Sequence, residues 1–237
     1  MPPSARNRTT QGELVVHDQR VSWIRDGVLR GRPIYILAHG AGAPYTSPFM
    51  QAVAHGLVQR EVCVLRFHFP YMERARRDRR RYPPDRPASL VETCRAVVDL
   101  ATAWLPRAKR SRPPLVVGGK SMGGRMMSML LAADAAPAVA GAVYLGYPLH
   151  APGRTDKLRK EHLQSIAVPQ LFVSGTRDSL ARLELLRPIV GALSRAELHV
   201  VEGGDHSLSV ERKNPLAGSE KWLDAVARFC STVAAAA

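Results

Sequence analysis

The run Gly119-Lys120-Ser121-Met122-Gly123 sets a serine between two glycines at a spacing that can expose and activate it. Before it, Leu115-Val116-Val117-Gly118 reads as a buried strand; after it, Met126, Met127, Leu130 and Leu131 repeat at helical spacing. Glycines at a strand-to-helix junction permit a turn sharp enough to hold the serine in a strained conformation. The hydroxyl then stands at a helix N-terminus, where developing negative charge is favoured. The chemistry of such a group is acyl transfer, with attack on a carbonyl and a covalent acyl intermediate. Gly119-Lys120-Ser121 also matches the end of a phosphate-binding loop, but that motif needs a glycine five positions earlier, where Pro114 stands.

Chance yields the five-residue pattern in roughly one chain of this size in ten, so the serine is tested by its partners. It needs a histidine to take its proton and an acid to fix the tautomer of that histidine. On a parallel sheet, such machinery follows the chain order serine, acid, histidine, each on a loop after a strand's C-terminal end. Two later loops fit: Ser174-Gly175-Thr176-Arg177-Asp178 and Gly203-Gly204-Asp205-His206-Ser207. Of the eight histidines, His17 and His39 precede the serine, His55 and His162 sit in helical patterns and His199 lies within a strand. His150 and His206 lie on loops after the serine, and of these only His206 follows Asp178. Asp178 has an alternative reading as the cap of a helix beginning near Ser179. Asp156 is the second-choice acid, and Asp205 adjoins His206 too closely to orient it.

A tetrahedral intermediate needs two fixed N–H donors for its oxyanion. The Met122 amide, directly after the serine, is one. The small-residue stretch His39-Gly40-Ala41-Gly42-Ala43 offers the second through Ala41, with Gly42 next in order; its alternative reading is a simple turn. His39 is expected to hold that loop by hydrogen bonding rather than to catalyse.

These residues require a scaffold of strands and helices in alternation. Strands are expected at 34–38, 62–67, 115–118, 142–145, 170–173 and 198–201, with helices over about 47–59 and 88–104, after Ser121, and from Pro215 to Ala234. Near-continuous apolar strands between helices argue for an α/β fold, a doubly wound and mainly parallel sheet. Residues 1–30 contain Leu14-Val15-Val16 and Val21-Ser22-Trp23-Ile24, which suit an antiparallel hairpin at one edge. Residues 71–87 read as an arginine-rich loop. The chain carries no repeat and no linker, which predicts a single domain over 1–237.

Composition narrows the classes. With 237 residues, 46% hydrophobic and 23% charged, the chain can bury one sizeable core. The longest apolar stretch, Leu130 to Tyr147, is broken by Asp134 and Pro137, so no membrane span is expected. The first eight residues show no hydrophobic signal segment, and three scattered cysteines suit neither a disulfide framework nor a zinc cluster. A cytoplasmic location, with no metal or organic cofactor, is the expectation. The net charge of +14 is concentrated in Arg74-Ala75-Arg76-Arg77-Asp78-Arg79-Arg80-Arg81, with Arg86 beyond. Such a run is ordinarily a solvated surface; the functional alternatives are a rim for anionic substrates or a patch binding nucleic acid non-specifically.

With serine, acid, histidine and oxyanion loop in order, the chain resembles the serine α/β hydrolases of the dienelactone-hydrolase-like clan. More narrowly, it is similar to a group of small, mostly uncharacterised bacterial predicted hydrolases. Animal relatives of that group include a testis-expressed hydrolase-like protein and a chromatin acetyltransferase complex subunit. The resemblance rests on 37–43, 66–72, 118–125, 146–150, 175–178 and 203–207, and spans residues 37–207. It departs in two places: the clan's name-giving enzymes use a cysteine where Ser121 stands, and the group usually has an acidic residue at the position of His68. The resemblance implies an α/β-hydrolase fold with a Ser121–His206–Asp178 triad. Because some relatives act in complexes, it also admits a hydrolase-like interaction module. Only 22 residues separate Tyr147 from Gln170, too few for a full lid. An open site for short-chain esters follows, with Arg125 and the 74–86 arginines drawing carboxylate or phosphate groups on the substrate.

Overall fold

Strands that are apolar on every residue need cover on both faces, and the computed structural model supplies it. It describes residues 8–108, 112–133, 136, 138–211 and 218–233. Among these residues eight strands form one sheet: β1 (Thr9–Val16), β2 (Gln19–Asp26), β3 (Ile34–Ala38), β4 (Cys63–Phe67), β5 (Leu115–Lys120), β6 (Val139–Leu145), β7 (Gln170–Gly175) and β8 (Ala196–Val201). Their order is β1-β2-β4-β3-β5-β6-β7-β8. From β4 to β8 every pairing is parallel; β1 and β2 pair antiparallel with each other, and β2 runs antiparallel to β4. The expected edge hairpin is thus present, closed by His17 and Asp18, whose φ of 45° and 60° suit the tight primed turn that matches strand twist.

Among the described residues six α-helices cover the sheet: α1 (Pro48–Gln59), α2 (Pro70–Arg77), α3 (Pro87–Ala103), α4 (Met122–Ala133), α5 (Leu183–Gly191) and α6 (Ser219–Thr232). Side-chain alternation along β3 shows the two layers. Ile34, Ile36 and Ala38 join a core with α3, α4 and α5, whereas Tyr35 and Leu37 join a second core with α1 and α6.

Several expectations change. Residues 71–77 of the expected arginine-rich loop are helical: Pro70 opens α2 at a position that lacks an intrahelical acceptor anyway, and arginine is a good helix former. Only Pro70, Tyr71 and Met72 of α2 are buried, so no apolar period announced it. No helix begins at Ser179; α5 starts at Leu183. β6 begins at Val139 and β5 runs on to Lys120. The expected helix ends at Pro215 and Ala234, the breaks at Asp134 and Pro137, and residues 1–7 lie outside the described residues. Among the described residues, no helix is long and apolar enough to cross a membrane.

Candidate active site

The serine sits where β5 becomes α4. Ser121 has φ of 50°, in the left-handed region that a residue with a Cβ rarely occupies. It is held there from both sides. Its N–H donates to the Leu145 carbonyl at 3.0 Å, and its carbonyl accepts from Arg125 N–H at 3.1 Å. The flanking glycines are needed for close approach: a Cβ on Gly119 would lie 2.2 Å from the Ala38 carbonyl oxygen, and one on Gly123 would lie 2.5 Å from it. The first turn of α4 therefore packs directly on the end of β3.

Two loops complete the cluster. His206 Nε2 is 2.9 Å from Ser121 Oγ, and Nδ1 is 2.9 and 3.0 Å from the two oxygens of Asp178. Asp178 is fully enclosed at its side chain, and its Oδ1 also accepts the Leu180 N–H at 2.8 Å. An enclosed carboxylate with a backbone donor favours Nδ1–H on His206, which leaves Nε2 free to accept the serine proton. Asp178 caps a local turn but no helix. Asp205 accepts the Ser207 and Ser209 amides, so it shapes the histidine loop instead of orienting the ring. Asp156 is exposed and pairs with Arg154, away from the cluster.

Residues passed over in the sequence fix these loops. The Arg177 amide donates to Gly204 O at 2.8 Å and its Nε to Gly203 O at 2.7 Å, joining the acid loop to the histidine loop. Lys120, 9% exposed, donates from Nζ to the main-chain carbonyl of His206. Burial presses its pKa down to about 8, against the pull of the Asp178 and Asp205 carboxylates. The sequence signal for Lys120 was its place inside the serine motif; Arg177 offered none beyond its loop.

On the other side, a Cβ on Gly40 would lie 3.7 Å from Ser121 Cβ, so the loop after β3 borders the serine. His39 Nδ1–H donates to Gly40 O at 2.7 Å, and the Tyr71 hydroxyl donates to Ala41 O at 3.0 Å. His39 Nε2 accepts the Phe69 amide at 3.1 Å. Burial lowers the His39 pKa to about 3, so the ring stays neutral and structural, as expected. Among the described residues no peptide is cis, so the Ala41 N–H points opposite to the Gly40 carbonyl, away from His39. Gly42 has open space around its Cα. The Met122 N–H is the first of α4, which has no acceptor to offer it.

Other candidates lie apart. His150 is buried, with Nδ1 on Ala151 O. His68 is buried with Nδ1 3.0 Å from Glu73 Oε1, so α2 supplies a carboxylate beside it. Burial would raise the Glu73 carboxyl, but hydrogen bonds from His68 and Ser22 outweigh it and bring the pKa to about 2. A second serine–histidine contact joins Ser128 Oγ to His162 Nε2 at 2.8 Å. Arg125 follows Ser121 by one helical turn, half-buried. Among the described residues no group of three or more metal-ligating side chains gathers.

A family profile described as "Alpha/beta hydrolase domain" matches residues 31–234. Solved structures share the fold. A dienelactone hydrolase from Anabaena variabilis superposes with a TM-score of 0.72 at 20% identity, covering 96% of this chain and 97% of its own. Est1E from Butyrivibrio proteoclasticus gives 0.68 at 13% identity, over 93% and 98%. An alpha-beta serine hydrolase homologue from Coxiella burnetii gives 0.66 at 17%, over 94% and 95%. On the extent of the family match, this chain belongs to the α/β-hydrolase domain family.

Proposed function

We propose that the protein is a serine hydrolase that cleaves a short-chain ester or related acyl bond through an acyl-enzyme. Ser121 Oγ attacks the carbonyl carbon while His206 Nε2 takes its proton, and Asp178 holds the imidazolium through Nδ1–H. The tetrahedral oxyanion is held by the N–H groups of Met122 and Ala41, with Gly42 next in order after Ala41. The bond to the leaving group then breaks as His206 returns the proton to it. Water, deprotonated by the same imidazole, attacks the acyl carbon and releases the acid and free Ser121. The nucleophile and its base come from the chain, so this chemistry calls for no metal or organic cofactor.

The observation that carries the reading is the unbroken relay from a backbone-strained Ser121 through His206 to an enclosed Asp178. The segment between β6 and β7 holds only one short 3₁₀ turn, Glu161–Ser165, which favours an open mouth and short acyl groups. The dienelactone hydrolase and the serine hydrolase homologue among its neighbours lend this reading support from shared fold alone. The narrower likeness to small predicted hydrolases and a cytoplasmic setting belong to the same proposal.

A fluorophosphonate probe tests it, because such a probe needs only an activated serine and an oxyanion hole. Wild-type protein should label at Ser121, located by mass spectrometry, and Ser121→Ala and His206→Ala should not. A folded protein that stays unlabelled would sink the hydrolase reading in favour of an interaction module.

A further inference from the structure

A chain of hydrogen bonds links the main chains of two arginines beside the serine. The Ser128 hydroxyl donates to Arg125 O at 2.7 Å, and the Tyr147 hydroxyl donates to Arg159 O at 2.9 Å. Between them, His162 Nε2 lies 2.8 Å from Ser128 Oγ and 3.3 Å from Tyr147 Oη. Both hydroxyl protons are committed to carbonyls, so Nε2–H of His162 is the donor to both oxygens. The network ties the first turns of α4 to residues 147–162. The Arg125 N–H donates to the Ser121 carbonyl at 3.1 Å, and helix side chains lean towards the N-terminus, here towards the serine end of α4. Tyr147 follows Gly146, whose Cα abuts the His206 carbonyl and Lys120.

The charges in this corner are unbalanced. Among the described residues, neither the Arg125 nor the Arg159 guanidinium reaches a carboxylate, and the buried Nε of Arg125 has no acceptor. Both side chains are half-buried. Glu161, two residues after Arg159, is exposed and accepts the Lys160 amide at 3.2 Å instead. Burial, and then the positive charge of Arg159, lower the Arg125 pKa. The same surroundings keep His162 neutral, since burial and Arg125 lower its pKa too. The network brings the two main chains together, and two half-buried guanidinium groups that meet no counter-ion among the described residues hold unused donors in a planar fork suited to an oxyanion.

We propose that Arg125 and Arg159 form a subsite for an oxyanionic group, carboxylate or phosphate, carried on the acyl substrate; the subsite's role in specificity rests on the hydrolase reading above. The substrate class is then an ester whose acyl or alcohol part ends in a negative charge a few bonds from the carbonyl. Ser128, His162 and Tyr147 are positioning residues that set the two arginines.

The test compares 4-nitrophenyl butyrate with mono-4-nitrophenyl glutarate, acyl chains of similar length of which one ends in a carboxylate. The measured quantity is the ratio of kcat/KM for the charged ester to that for the neutral one. Wild type should favour the charged ester, and Arg125→Gln or Arg159→Gln should lower the ratio about tenfold or more, the size expected for losing a charged hydrogen bond. Arg79→Gln/Arg80→Gln, which removes equal or greater charge elsewhere, should not. An unchanged ratio in both subsite variants, or an equal fall in the Arg79/Arg80 variant, overturns the proposal. If neither ester turns over and Ser121 resists the fluorophosphonate, the hydrolase reading fails separately. The subsite is then judged by Tm: glutarate or inorganic phosphate should raise it in wild type but not in Arg159→Gln, the more effective anion identifying the ligand. No rise with either overturns it.

Discussion

Two serine–histidine contacts lie near the same helix and differ little in length: 2.9 Å for Ser121 and His206, 2.8 Å for Ser128 and His162. Distance does not separate them; proton direction does. Asp178 takes the Nδ1–H of His206, so Nε2 can accept, whereas Nε2 of His162 already donates and the Ser128 proton is spent on Arg125 O. Exposure separates them as well. Ser121 is partly open at the end of the sheet, with φ of 50°, while Ser128 is fully buried in mid-helix. One contact serves chemistry in the function proposed above. The other is a structural brace.

The largest effect should come from Ser121→Ala, which ought to lower turnover of 4-nitrophenyl butyrate on the order of 10⁴-fold or more. Ser128→Ala should cost less than about tenfold in turnover. It should instead lose about 1–3 kcal/mol in urea unfolding, because the His162 N–H and Arg125 carbonyl lose a buried partner. Comparable activity losses in the two variants would break the distinction. Next, Asp178→Asn should depress kcat by about 10⁴-fold through the wrong histidine tautomer, with the pH-independent fold intact by circular dichroism. A small loss there would move the orienting role elsewhere.

Lys120 sharpens the comparison from the side of His206, since the 128–162 pair has no charged brace of this kind. Its folded pKa of about 8 lies below the ordinary lysine value of 10.5. The unfolded chain therefore binds the extra proton between those values, and this residue makes stability rise with pH across that window. Below pH 8 both states are protonated and the contribution is constant. Lys120→Met should flatten the stability profile between pH 8 and 10.5. It should also reduce kcat on the neutral ester, as the His206 carbonyl loses its donor. A profile unaltered by the substitution would mean that another group titrates there.

The main features were legible in the sequence because each left a local signature. Strand, glycine, serine, glycine and helix announced Ser121, and chain order singled out Asp178 and His206. Continuous apolar runs such as Ile34-Tyr35-Ile36-Leu37-Ala38 announced a sheet covered on both faces. What stayed hidden depends on contacts between distant segments. The Lys120 bond spans 86 residues and that of Arg177 to Gly203 spans 26, and neither partner's type reveals the other. α2 was unreadable for another reason. It is amphipathic only in its first turn, so its charge looked like loop while its propensity was helical. The proposed Arg125–Arg159 subsite was half visible: Arg125 stands two residues after the serine motif, but Arg159 is linked to it only by way of Tyr147 and His162.

The smallest effects should come from the arginines of α2 and the segment after it, and here the contrast is with the subsite pair. Arg74 binds Asp85 and Arg76 reaches Glu73 in partly buried pairs, and Arg77 binds Asp78 in an exposed one, so the segment neutralises much of its own charge. Exposed pairs of this kind contribute little to stability. Arg79, Arg80 and Arg81 are solvent-facing. Replacing these three with glutamine should leave Tm within about 2 °C of wild type. Their free charge acts at longer range. A single-stranded oligonucleotide should bind weakly at low salt and release as salt rises, independent of base sequence. Each arginine that contacts a phosphate should reduce the slope of log K against log salt by about 0.7. Sequence preference, or binding that resists salt, would give this surface a specific partner that charge alone does not explain. The glutarate preference should survive the triple substitution, because a solvated charge is screened within about 8 Å at physiological salt while a half-buried pair is not.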